Sequence, residues 1–236
     1  MRAITWSAAL LVGLLLACSG PASSATDATT VLREAGRAMG GLHTVAADVK
    51  FGPGITLQGL TLSSATTKVQ LPGQSDTVIK VKQGDFLVDL RVVTTGGHVF
   101  LRLPFSQFTE ASAAQAGEVP DLSRLFDPQS GLPAALAAGT ATRYLGAEQV
   151  GGVDSDKVAT SYTADQVGAL LGGAVKPAGD VQATIWAGRS DHYVRRVILS
   201  GPLLEAGKTV QVQVDLHDFN QPVTIATPSP AAPGSP

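Results

Sequence analysis

The sequence predicts an α+β domain dominated by antiparallel sheet, on three observations. Runs of alternating apolar and polar residues recur from Thr44 to Phe219. Most are separated by turns such as Pro53-Gly54, Pro72-Gly73, Gln83-Gly84, Gly96-Gly97 and Gly151-Gly152. Helical spacing is confined to short segments before or between these runs, the pattern of sheet and helices laid down in blocks.

The first element is a helix. Thr29 to Met39 places Val31, Leu32, Ala35, Ala38 and Met39 at helical spacing, with Arg33, Glu34 and Arg37 elsewhere, and Gly40-Gly41 ends it. Strands are then predicted at Val45 to Phe51, Thr56 to Ser63, Thr67 to Leu71, Thr77 to Lys82, Asp85 to Thr95 and His98 to Leu103. From Pro104 to Gly139 the alternation is lost. Helical fragments are read there at Leu122 to Phe126 and Leu132 to Ala138, among loops holding Pro120, Pro128, Gly131 and Pro133. Strands resume at Thr142 to Gln149 and Val153 to Tyr162. Thr163 and Gln166 have the spacing of a capping box before a short helix, Val167 to Leu171. The closing strands are Val181 to Ala187, Tyr193 to Leu199 and Thr209 to Phe219.

Ahead of this domain, Arg2 precedes an uncharged stretch, Ala3 to Ala17, containing Leu10, Leu11, Val12, Leu14, Leu15 and Leu16. The apolar run is about half the roughly 20 residues that span a bilayer, so residues 1–17 read as a signal peptide. Leu15-Leu16-Ala17-Cys18 then reads as a lipobox, with a diacylglyceryl group on Cys18; ordinary cleavage after Ser23-Ser24-Ala25 is the other option. Cys18 is the one cysteine of the chain, and acylation removes a thiol that an exported protein would otherwise leave open to oxidation. Two acyl chains suffice for stable anchoring. Residues 18–28 read as a lipidated flexible tether, 29–227 as one domain and 228–236 as a disordered Pro-rich tail.

Loss of Arg2 from the 17 basic residues leaves 16 against 19 acidic ones. That balance offers no basic face for nucleic acid. No G-x-S-x-G, H-E-x-x-H, P-loop or G-x-G-x-x-G motif is present, so neither enzyme activity nor a cofactor is expected. His43, His98, His192 and His217 lack ligand spacing and read as surface or turn residues. Asp154 and Asp156 look like half a calcium loop but fit a polar hairpin better. Trp186, on the opposite strand face from Ile185, is expected to be buried.

The alternation also assigns faces. Ile79 and Val81; Phe86, Val88, Leu90 and Val92; Val99, Leu101 and Leu103; and Val210, Val212, Val214 and Leu216 each make one aliphatic strand face. Lys80, Lys82, Asp89, Arg91, Arg102, Gln211, Gln213 and Asp215 fall on the other, so one side of the sheet is apolar and the other wet. With aromatic residues only 5% of the chain and short helices as cover, the composition alone fits a close-packed core better than a cavity.

The mature chain resembles the LppX/LprAFG family of actinobacterial lipoproteins. The resemblance rests on the lipobox cysteine, Leu42-His43-Thr44, Phe126-Asp127-Pro128 with Gly131-Leu132, Ile185-Trp186 followed by Asp191-His192, and Asp218-Phe219-Asn220-Gln221-Pro222-Val223. It implies a LolA/LolB-like fold: an antiparallel half-barrel β-sheet with helices covering its concave face around an apolar cavity. It implies binding of acylated lipids or glycolipids and their carriage across the periplasm toward the outer envelope; the lipobox places the anchor on the outer face of the cytoplasmic membrane, and a lipid exporter is the partner expected if the core is instead packed. The candidate cavity walls, taken from alternation, are Ile79, Val81, Phe86, Val88, Leu90, Val99, Leu101, Leu103, Val210, Val212 and Val214. The competing expectation is a structural or interaction lipoprotein with a packed core.

Overall fold

The computed structural model describes residues 26–57, 59–118, 125–127, 129–170 and 177–229. The signal segment, Cys18, most of the tether, most of the Leu122 to Phe126 fragment, Leu171 and residues 230–236 lie outside the described residues.

Helix α1 spans Ala28–Gly40. The Asp27 carboxylate starts it, accepting from the backbone N–H groups of Thr29 and Thr30 at 3.2 Å and from the Thr30 hydroxyl at 2.6 Å. These donors satisfy amides that a helix leaves open at its start. They hold the Asp27 carboxyl below its ordinary range, the Thr30 hydroxyl most of all. Leu32, Ala35 and Met39 are buried on one face of α1, as the helical spacing predicts.

The strands are β1 (Thr44–Phe51), β2 (Thr56–Leu57), β3 (Leu60–Gln70), β4 (Gln74–Gln83), β5 (Phe86–Thr95), β6 (His98–Arg102), β7 (Thr109–Glu110), β8 (Thr140–Val150), β9 (Val153–Tyr162), β10 (Val181–Gly188), β11 (Val194–Gly201) and β12 (Val210–His217). Helices α2 (Ala113–Glu118), α3 (Leu132–Ala138) and α4 (Ala164–Leu170) interrupt them. All ladders are antiparallel, in the order β7-β6-β5-β4-β3-β1-β12-β11-β10-β9-β8, with β2 paired to β3. The ends β7 and β8 do not meet, so the sheet is an open half-barrel rather than a closed one.

Several boundaries depart from the sequence reading, with β4 and α4 each starting three residues earlier and β7 and α2 unread, and the departures around β3 and at β12 have a visible cause. Thr56 to Ser63 is not one strand: Gly59 at φ 81° turns the chain between β2 and β3. Leu60–Gln70 is instead continuous, shifting register between Leu62 and Ser64, where Ser63 bulges out of the ladder. The last strand stops at His217 because Asp218 and Asn220 take left-handed conformations, with φ of 51° and 56°. The α4 capping box forms as read: Gln166 accepts from the Thr163 amide at 2.8 Å, and the Thr163 hydroxyl accepts from the Gln166 amide at 3.3 Å.

α1 crosses β8, β9 and β10 and packs on α3, which in turn meets α4. Under the helices lies the main core, where Leu32, Ala35, Met39 and Leu136 meet Val45, Val158, Val181 and Ile185 from the sheet. Met39 also places its sulfur 3.4 Å from the Val194 amide. A side chain at Gly36 would begin 2.6 Å from the Pro133 carbonyl oxygen, so glycine sets the α1–α3 approach.

A second, smaller core occupies the other side of the sheet, where Val93 and Phe100 are covered by Ile225, Val223 and Phe108. This corrects the reading of that side as wholly wet. Beyond β12 the chain returns along β1, with Asn220 donating its amide to Thr44 O and the Thr44 hydroxyl donating to Gln221 O. The extended segment then carries Ile225 onto Val93 and Phe100.

Candidate functional site: the apolar concave face

Cross-strand pairs share a face, so the ladders fix which side chains lie together. Ile79 is opposite Leu90 and Val81 opposite Val88; Val92 is opposite Leu101 and Thr94 opposite Val99. Across β3 the same face continues from Val81 to Leu62 and from Ile79 to Ala65. Ala65 leads to Val49, and Val49 to Val214. Val214 meets Val197, then Ile185 and Val158. A single concave face therefore runs from β6 to β8, and α1 sits on its β8–β10 end.

The eleven residues chosen from alternation separate into three environments on this face. Val210 is buried in the main core, and Val212 and Val214 pack half-buried against it. Val81 is fully buried, while Ile79, Val88, Leu90, Val99 and Leu101 are half-buried in the β4–β6 region. These six, with half-buried Val92, belong to neither core cluster of the described residues. Phe86 and Leu103 are 76% and 60% exposed and stand at the rim. Their exposure follows from where strands end. The β5–β6 ladder begins only at Arg91–Arg102, so β5 from Phe86 to Leu90 pairs with β4 alone. Beside this rim, mostly on the convex side where Lys80 faces Asp89, an open depression of about 520 Å³ is lined by Lys80, Leu87, Val88, Asp89 and the Arg102–Ser106 segment.

Two polar features border the interior of the concave face. The Tyr144 hydroxyl donates to Asp156 at 2.9 Å, and Arg189 Nε donates to the same carboxylate at 2.8 Å. The Tyr162 hydroxyl has its pKa pushed well above the ordinary tyrosine value by burial, which keeps it neutral. Neither arrangement supplies a nucleophile paired to a base.

The convex face of β8–β12 is built from charge around one ring. Trp186 is 3% exposed and donates its indole N–H to Glu148 at 3.2 Å. The Lys157 ammonium lies 4.8 Å and the Arg196 guanidinium 5.9 Å from the ring centre. Arg196 continues to Asp215, whose carboxyl is raised by partial burial but lowered more by hydrogen bonds from Arg196 and Gln213, leaving it below its ordinary range. Lys157, first, and the Trp186 indole, second, hold Glu148 below the ordinary glutamate range. A depressed carboxyl contributes stability above its unfolded pKa and loses it as pH falls through the folded value. Trp186 is the sole tryptophan beyond residue 6, so its fluorescence reports this step. An acid titration of the protein beginning at Ser19 should show a quenching transition below the ordinary glutamate range, and Glu148→Gln should abolish it. A transition that persists in Glu148→Gln assigns it elsewhere.

The histidines lie apart. His98 contacts Glu110 at 2.6 Å, His192 contacts Glu34 at 3.6 Å, and His217 contacts Asp48 at 3.3 Å and Asp218 at 3.1 Å, all partly exposed. Among the described residues no group of three His, Cys, Asp or Glu side chains gathers as a metal site. Asp154 accepts from Gln149 Nε2 at 2.8 Å across the β8–β9 hairpin, whose turn uses Gly151 and Gly152 at φ of 58° and 80°. Among the described residues no helix is long and apolar enough to cross a membrane.

None of the curated proteins matches the chain. Among solved structures, LprF from Mycobacterium bovis is similar at TM-score 0.69 and 18% identity, covering 86% of this chain and 97% of its own. Lipoprotein LppX from Mycobacterium tuberculosis is similar at TM-score 0.58 and 21% identity, covering 84% and 97%. These likenesses establish the half-barrel fold. The LppX_LprAFG lipoprotein family model matches residues 27–225, the whole span from the Asp27 cap to the Ile225 strap, and the chain belongs to the LppX/LprAFG lipoprotein family.

Proposed function

We propose that this lipoprotein binds acylated lipids or glycolipids along the concave face of β4–β6 and, tethered by lipid on Cys18 to the outer face of the cytoplasmic membrane, carries them across the periplasm toward the outer envelope. The observation that supports this reading is the apolar set Ile79, Val81, Val88, Leu90, Val92, Val99 and Leu101, which shares one face yet, among the described residues, joins neither core. A close-packed sheet of this size would draw such residues into its core. An acyl chain laid against them gains about 0.8 kcal/mol per methylene removed from water, so ten methylenes give roughly 8 kcal/mol before costs. That energy is blind to headgroup and suits a carrier of varied acylated cargo.

Native mass spectrometry with lipid extraction tests it, on protein beginning at Ser19 and expressed in an actinobacterial host. Near-stoichiometric acylated lipid is the expected result. Protein that is lipid-free and takes up no added glycolipid would overturn the carrier and support a packed-core lipoprotein that engages an envelope partner. Val88→Trp and Leu101→Trp fill the face and should weaken lipid uptake by roughly tenfold, about 1.4 kcal/mol. Gln211→Trp, at an exposed position on the convex face, should not. Equal uptake by all three folded variants places the lipid elsewhere.

A further inference from the structure

The rim around the open end of β5 concentrates exposed apolar side chains. Phe105, Phe86, Leu103 and Leu87 are 97%, 76%, 60% and 59% exposed, the four most exposed large apolar residues described. They come from two segments, the β4–β5 hairpin and the turn after β6, and Leu87, Leu103 and Phe105 border the same depression. Phe105 is held outward at φ 60°, in a turn where Ser106 donates its amide to Leu103 O at 3.2 Å and its hydroxyl to the same oxygen at 3.0 Å. Left-handed backbone at a bulky residue is strained and persists where surroundings enforce it, a pattern that marks functional positions. Here the strained turn presents an aromatic ring to solvent.

The charges beside this patch favour an anionic partner. Lys80, Lys82 and Arg102 flank it against Asp85 and Asp89, and Lys80 pairs with Asp89 at 3.0 Å. Phe86 continues the concave face, because it lies on the strand face of Val88 and Leu90, while Leu87, opposite Lys82, extends the patch round the edge to the convex side. Between Cys18 and α1 lie the nine residues 19–27, which reach at most about 30 Å when extended, so a lipid-anchored domain is held within its own dimensions of a bilayer.

We infer that the rim formed by Phe86, Leu87, Leu103 and Phe105 docks into an anionic bilayer surface, placing the open end of the concave face against the lipid it loads. This rests on the reading of that face as lipid-binding. Docking differs from anchoring: the tether keeps the domain nearby, and the rim orients it.

The test uses protein beginning at Ser19, which retains every described element and lacks the lipidated cysteine. It should float with vesicles of phosphatidylcholine and phosphatidylglycerol. The double variant Phe86→Ser, Phe105→Ser should bind them roughly tenfold more weakly or worse, from two apolar side chains no longer buried, with its thermal midpoint unchanged. Phe105→Trp should show a blue shift on adding the vesicles, against the constant signal of buried Trp186. No flotation, equal flotation of the double variant, or an unmoved Phe105→Trp emission overturns docking through this rim. Equal flotation on phosphatidylcholine alone overturns the anionic assignment, and self-association that the double variant abolishes assigns the patch to a second copy. Lipid uptake from detergent solution, read by native mass spectrometry, separates the two readings. Wild type that floats but never takes lipid sinks the carrier alone; wild type that takes lipid but does not float sinks the docking alone.

Discussion

Replacing Leu32 by alanine is expected to lower the unfolding free energy by about 3 kcal/mol, the middle of the range for a buried leucine that leaves a cavity. Leu32 is 2% exposed in the middle of α1, where the main core joins helix to sheet. Alanine keeps the helix propensity, so the loss measures packing alone. In urea the midpoint should fall with an unchanged slope. A loss below about 1 kcal/mol would mean that α1 can settle closer to the sheet and refill the site.

Gly36→Ala sets two effects against each other. Helix propensity alone predicts a gain of about 1 kcal/mol from alanine within a helix. The new methyl, however, would lie 2.6 Å from the Pro133 backbone oxygen, which cannot rotate away as a side chain can. Parting α1 from α3 also disturbs Leu136, 1% exposed beside them, and overpacking of this kind costs about 1–3 kcal/mol. Net destabilisation of up to about 2 kcal/mol is expected from thermal or urea unfolding. A stabilised Gly36→Ala protein would show that the two helices are not held at this distance.

What could be read in the sequence depended on how cleanly each strand alternated. β12 alternates without a break, and β4, β5 and β6 keep an aliphatic residue at every second position despite neighbours such as Val78, Leu87, Val93 and Phe100, so these positions fell on one face, where a slip of one residue would have inverted each set. β3 was read as parts of two strands because Ser63-Ser64-Ala65-Thr66-Thr67 offers little apolar contrast and the bulge at Ser63 breaks its phase. β7 has two residues and no pattern to find. The convex core was legible in part: Val92-Val93 and Val99-Phe100-Leu101 are consecutive apolar runs, the mark of a strand covered on both sides. Its cover, Val223 and Ile225, is an extended segment with no period of its own. Alternation likewise put Phe86 and Leu103 with the wall residues; their exposure depends on where β6 leaves β5, a property of strand length rather than of face.

The centre of the sheet joins the ends of the chain. β1 pairs with β12, so Ala46 lies opposite His217 and Phe51 opposite Val212, contacts that span most of the sequence. Local hairpins such as β3–β4–β5–β6 and β9–β10–β11 can form as the polypeptide emerges, but the ladder that unites them closes a loop of some 160 residues and waits for the final strand. The two halves of the half-barrel are therefore separate until the final strand is made, and the continuous concave face does not exist before then. A stop codon ahead of Val210 would remove the middle of the sheet rather than its edge, leaving β1 and β11 as raw edges in two fragments.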